Sequence, residues 1–188
     1  VNPEQIRMGL FCYQALVNIV IRMKPTTDED VMTREVIQAG ELVSIDCIRD
    51  DPYTGDGKDG PFLRLSDGAG WLFERKQDMQ MMRNLTVEQG SWMIKILNHP
   101  VGVGLRRHPI VCQDKLFPAI YPTGSIVLWE HRVVGDDGTI FYHAAGTQGW
   151  IFDRRGEEML VRLVSSGPRV AFTQHDPWDP NFVRGMAG

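Results

Sequence analysis

Gly70-Trp71-Leu72-Phe73-Glu74-Arg75-Lys76 and, 79 residues further on, Gly149-Trp150-Ile151-Phe152-Asp153-Arg154-Arg155 are the two stretches that decide the fold. They are one pattern written twice: glycine, tryptophan, an aliphatic residue, phenylalanine, an acid and two bases. Phe62 and Phe141 fall into the same register. Upstream the spacing changes. Ile21-Arg22-Met23-Lys24-Pro25 matches Leu105-Arg106-Arg107-His108-Pro109 at 84 residues, and that register also pairs Val17 with Val101, Asp30 with Asp114, Gly40 with Gly124 and Val43 with Val127. Self-similarity of this kind is read before any single motif, because it sets the unit of folding. The change of spacing belongs in a surface hairpin. Repeat 1 has the long loop Asp50 to Gly60, and repeat 2 has the short Gly135-Asp136-Asp137-Gly138.

Within each repeat the pattern is that of short strands punctuated by turns. Gly40 to Asp46 alternates with period two, and Gly124 to Glu130 does so more loosely. Phe62 to Leu65 and Phe141 to Ala144 follow the aspartate-glycine turns, and a second glycine-bearing turn leads into each Gly-Trp strand. Thr26 to Gln38 is polar and fits either a long loop or a short helix. Trp92 to Leu97 reads as a strand joining the two units, with Gly167 to Phe172 as its counterpart after repeat 2. The expected organisation is mainly β: one small β-barrel repeat over 13–90, a second over 91–172, and an extended tail over 173–188. The tail holds Pro177-Trp178-Asp179-Pro180 and Phe182. Its prolines favour extended backbone without ladder pairing.

Composition limits the function classes. A formal charge of −4 over 188 residues offers no basic surplus for a nucleic-acid partner. No apolar run approaches a membrane span; the longest, Ala15 to Ile21, is broken by Asn18. Cys12, Cys47 and Cys112 are odd in number and lack CxxC spacing, as expected of free thiols in a reducing compartment. The chain opens at Val1 rather than Met, as expected where a leader or a longer N-terminus has been removed.

No catalytic or metal constellation emerges from the sequence, and no cofactor is expected. His99, His108, His131, His143 and His175 never fall at HxH or HxxxH spacing. Asp50, Asp51, Asp56 and Asp59 lack the order and terminal glutamate of a calcium loop, so they read as a solvated hairpin. Val101-Gly102-Val103-Gly104 is a glycine-bearing strand rather than a phosphate cradle. Asn84-Leu85-Thr86 matches a glycosylation sequon by chance.

Trp71, Phe73, Trp150 and Phe152 carry the remaining signal, as core residues or as the wall of a peptide groove. Residues i and i+2 of a strand share a face, which places each Trp-Phe pair inside its barrel. A groove also needs an acidic loop. Repeat 1 has Asp28, Glu29 and Asp30, whereas repeat 2 has Cys112, Gln113 and Asp114.

From about Tyr13 to Phe172 the chain resembles the tandem SH3-like repeats with a Gly-Trp-hydrophobic-Phe signature found in diatom and related algal proteins. Its two-repeat organisation and aromatic tail resemble more narrowly the diatom pyrenoid shell proteins. That resemblance implies two SH3-like barrels and a non-enzymatic subunit that tiles into a sheet around the Rubisco condensate of the chloroplast, supporting CO2 fixation. The implied partners are further copies of the chain and Rubisco or a Rubisco-associated protein, with Trp178 and Phe182 as anchors of an assembly tail. The other open reading is an adaptor whose two repeats bind peptide segments with the avidity of linked sites.

Overall fold

The structure, a computed structural model, describes residues 5–50, 59–97, 100, 102–111, 116–144 and 149–167. It is mainly β. The first half contributes β1 (Gln5–Ala15), β2 (Ile19–Arg22), β3 (Met32–Ile37), β4 (Leu42–Asp50), β5 (Phe62–Leu65), β6 (Trp71–Phe73), β7 (Arg75–Lys76), β8 (Met79–Gln80) and β9 (Met82–Leu85). The second half contributes β10 (Glu88–Ile96), β11 (Val103–Arg106), β12 (Leu116–Tyr121), β13 (Ile126–Val134), β14 (Ile140–Ala144), β15 (Trp150–Phe152), β16 (Arg154–Arg155), β17 (Glu158–Met159) and β18 (Val161–Gly167). No helix among the described residues is long and apolar enough to cross a membrane.

Two seven-stranded sheets result, ordered β3-β2-β6-β5-β4-β1-β9 and β12-β11-β15-β14-β13-β10-β18. Each strand of the second sheet is the ninth after its counterpart in the first. Two-stranded ribbons, β7-β8 and β16-β17, repeat the same correspondence. The paired strands are antiparallel throughout. Neither strand order closes on itself among the described residues, so β3 and β9 end one sheet and β12 and β18 the other.

Two segments differ from their sequence reading. Thr26 to Gln38 holds a single 3-10 turn, Glu29–Val31, and then the edge strand β3, whose mostly exposed side chains hide the usual alternation. Trp92 to Leu97 is not a joining strand. It lies largely in β10, which opens the second sheet, and its counterpart is β1, which begins at Gln5, ahead of the expected repeat start at residue 13. Residues 168–172 and the tail, with Trp178 and Phe182, lie outside the described residues, as do Cys112 and His175.

The Gly-Trp signature has a steric cause. A Cβ on Gly149 would stand 2.9 Å from the Cβ and Cδ1 of Leu105, and one on Gly70 would stand 2.7 Å from Ile21 Cγ2 and press on the Arg22 carbonyl. Ile21 and Leu105 are the matched residues of β2 and β11, so both glycines let the same neighbouring strand approach. Gly40 and Gly124 share another device. Their φ values of 89° and 85° turn the chain into β4 and β13, at positions where a side chain would be strained.

The interior repeats as faithfully. The Arg22 guanidinium lies 5.4 Å from the centroid of the Phe73 ring, and that of Arg106 lies 5.3 Å from Phe152. Both arginines are buried, and each donates an Nη1 hydrogen bond to the carbonyl two residues before it, Val20 or Gly104. A cation over an aromatic face is attracted by the ring quadrupole, so a buried charge is tolerated in each copy. Around them pack Ile45, Phe62, Leu63 and Leu72 in one core, and Trp129, Phe141, Ile151 and Val161 in the other.

Gly149→Ala should therefore destabilise the protein by about 1–3 kcal/mol through overpacking against Leu105. Gly167→Ala, where a new Cβ meets nothing within 4 Å, serves as the control. Equal denaturant midpoints for the two variants would show that the signature glycine has no steric role.

Candidate functional site

The four signature aromatics do not form two equivalent grooves. Phe73, Trp150 and Phe152 are buried, whereas Trp71 is half-buried. The difference lies in the next strand. Arg64 pairs with Trp71 across β5 and β6, and its guanidinium stands 6.0 Å from the indole while gripping Asp46 at 2.8 and 3.2 Å. In repeat 2 the same ladder position holds His143, whose ring packs edge-on against Trp150 with centroids 4.9 Å apart. His131 continues the row, 6.0 Å from His143. Burial, and then the neighbouring His131, lower the His143 pKa from 6.5 to about 4. The Nδ1 of His143 and the Nε1 of Trp150 have no hydrogen-bond partner among the described residues. A neutral imidazole at His143 thus stands where repeat 1 has the Arg64 guanidinium.

The richest polar geometry lies between the two sheets. His108 is buried, and both its ring nitrogens are engaged by repeat 1. The Ser44 backbone N–H donates to its Nδ1 at 3.2 Å, and its Nε2 stands 3.1 Å from Oδ2 of Asp67. An acceptor at Nδ1 fixes the proton on Nε2, so the ring donates to the carboxylate as the neutral tautomer. Burial pushes the Asp67 carboxyl up, but the His108 hydrogen bond, the Ala69 N–H and Arg107 outweigh it and hold the carboxyl at about 2. Ser44 sits where the β4–β5 pairing ends: the ladder's last pair is Ile45 with Leu65, and Ser66 N–H reaches the Ser44 carbonyl. His108 supplies the acceptor that the missing strand residue would have given.

A second contact flanks it. The short hairpin of repeat 2 carries Asp136 onto β1 and β9, where Arg83 Nη2 donates to both its carboxylate oxygens at 2.8 Å. Gln14 Nε2 donates to Asp136 Oδ2 at 3.0 Å, and the Gln14 carbonyl oxygen also accepts from Arg83. Beside them an open cleft of about 380 Å³ runs between Glu41 and Leu42 on one side and Pro109, Val111 and Phe141 on the other. Cys12 and Leu42, although strands of the first sheet carry them, belong to the apolar core of the second. Among the described residues the two halves are therefore joined by the His108 latch, the Arg83–Asp136 ion pair and a shared apolar seam.

The junction is built from hydrogen bonds, an ion pair and apolar contact. Burial pushes the Cys12 thiol up to about 12, so it is no nucleophile at neutral pH. Among the described residues no three of His, Cys, Asp and Glu are grouped to hold a metal ion. Asp59 is engaged structurally, accepting from Thr27 Oγ1 and Gln77 N–H at 2.7 Å each.

Comparison with known proteins gives no relative. No family model matches the chain, and no curated protein or solved structure matches it significantly.

Sequence reasoning aligned His108 with Lys24 and Asp136 with the longer loop, yet it missed both as a junction. The signal was the departure of each from its partner repeat. A histidine where its duplicate has lysine, and a hairpin cut short, are what an interface between unlike copies requires.

Two acid steps follow. His143, held below its usual pKa, leaves the unfolded chain to take up protons first, so stability falls between about pH 6.5 and 4. Asp67, held near 2, stabilises fully above its usual 3.8 and loses that contribution as pH falls through about 2. His108→Ala should cost about 3 kcal/mol at pH 7 by stranding the Ser44 N–H and the Asp67 carboxylate. It should also flatten the lower step in a pH series of denaturant midpoints. An unchanged profile would remove the latch from the account.

Proposed function

We propose that this chain is a non-enzymatic structural subunit that associates with copies of itself into a sheet or shell. One observation supports the reading above the others: the fold already packs against its own duplicate. The face of repeat 1 that holds Cys12, Leu42 and Ser44 meets a different face of repeat 2, the one that holds His108, Pro109 and Asp136. Such a contact between unlike faces does not use itself up. It leaves one face of each kind open at the two ends of the chain, the condition for extended assembly. Sheet edges left unpaired among the described residues, at β3, β9, β12 and β18, add further places where strands of another chain can pair.

The finer reading is that each sheet belongs to an SH3-like repeat. The resemblance to diatom pyrenoid shell proteins then supplies a setting: a layer enclosing Rubisco in the chloroplast, with Trp178 and Phe182 of the tail as connecting anchors. The adaptor alternative asks for a tryptophan exposed to peptide in each repeat. With Trp150 buried beneath His143, only Trp71 is placed for it.

Purified protein should form particles that pellet and show sheets or closed shells by electron microscopy, at concentrations where a monomer would stay in solution. Deleting residues 173–188 should leave the circular dichroism spectrum and melting unchanged while reducing pelleting. A chain that stays monomeric at high concentration would contradict the assembly reading. Equal pelleting of full-length and truncated protein would remove only the tail.

A further inference from the structure

The covered face of repeat 1 has a counterpart on repeat 2, and that counterpart is open. Pairing registers align Cys12, Leu42 and Ser44 with Met93, Ile126 and Leu128: Cys12 stands opposite Ser44 in the first sheet as Met93 stands opposite Leu128 in the second. Beneath repeat 2, the first three are 0%, 6% and 1% exposed. Their equivalents are 42%, 52% and 38% exposed and more apolar, and Val164 beside them on β18 is half exposed. Large apolar side chains grouped on one face of a sheet mark an interaction surface rather than scattered exposure.

We infer that this face of repeat 2 docks repeat 1 of a second copy of the chain, in the manner in which repeat 1 already docks repeat 2. The internal junction is the precedent for this occupant. There Gln14 and Arg83, opposite each other on β1 and β9, hold Asp136 of repeat 2, and on the open face the corresponding opposed residues are Lys95 and Arg162. The polar latch is not repeated. Leu128 stands where Ser44 stood, and Lys24 where His108 stood, so the contact between chains rests on apolar burial. It should accordingly be weaker than the internal one.

This inference rests on the self-assembly reading, and two blocked variants separate the fates of the two. Ile126→Glu with Leu128→Glu blocks the socket on exposed strand positions. Pro25→Arg with Thr26→Arg blocks the opposite face, on repeat 1. Both should melt like the parent, and each alone should self-associate at least about tenfold more weakly in sedimentation velocity, equivalent to about 1.4 kcal/mol. Mixed, they retain one intact socket and one intact docking face between them, so a 1:1 complex should appear. A socket variant that assembles like wild type would overturn the inference while sparing self-assembly. So would dimers of the Pro25→Arg, Thr26→Arg variant by itself, which would show the apolar face meeting its own copy or the tail. A wild type that never associates would sink both.

Discussion

A single neutral histidine sets the relation between the two halves of this protein. His108 leaves repeat 2, enters repeat 1 and spends both ring nitrogens there, one accepting from the Ser44 N–H and the other donating to Asp67. The constraint is two-sided. An N–H left by the end of the β4–β5 ladder needs an acceptor, and a carboxylate drawn out of water needs a donor. One imidazole in one tautomer satisfies both, and lysine, its counterpart in repeat 1, has no acceptor to offer. Once the ring is seated, Pro109 and Val111 line the cleft against Leu42, and Asp136 comes within reach of Arg83. Relative orientation therefore follows from a short polar contact, and apolar burial fills the seam around it.

The duplicated interiors diverge little where packing is tight. Buried arginine over phenylalanine, glycine beneath a neighbouring strand and the nine-strand order all recur. Divergence is concentrated where the copies meet or where they face outward. Arg64 over Trp71 becomes His143 over Trp150, Ser44 becomes Leu128, and a long acidic hairpin becomes a short one. The same backbone position is thus polar where its partner lies within the chain and apolar where it lies open.

The sequence made the duplication legible because its signals are local and steric: glycine next to tryptophan, period-two alternation, and turn residues at fixed offsets. β3 escaped because an edge strand with solvent on most of its side chains loses the alternation that marks β4. β10 was placed between the units because its register to β1 is carried by pairing with β13, which no linear offset reveals. Residues 5–12 have few identities with their counterparts. The junction was less legible still. His108 and Asp67 are 41 residues apart, and nothing in either tells a reader that the fold brings them together. What the sequence did carry was asymmetry between aligned positions, and the functional contacts lie at those asymmetries.

The central claim is that repeat 1 and repeat 2 form one body held at Ser44. Residue-resolved amide hydrogen exchange at that N–H tests it most directly, because its hydrogen-bond partner among the described residues is a side chain from the other half. If the latch holds, the Ser44 amide should exchange as slowly as the core amides of the same strand, through global unfolding alone. Exchange at the rate of a solvated turn, with the rest of β4 still protected, would mean that His108 does not occupy its seat and that the two halves move independently.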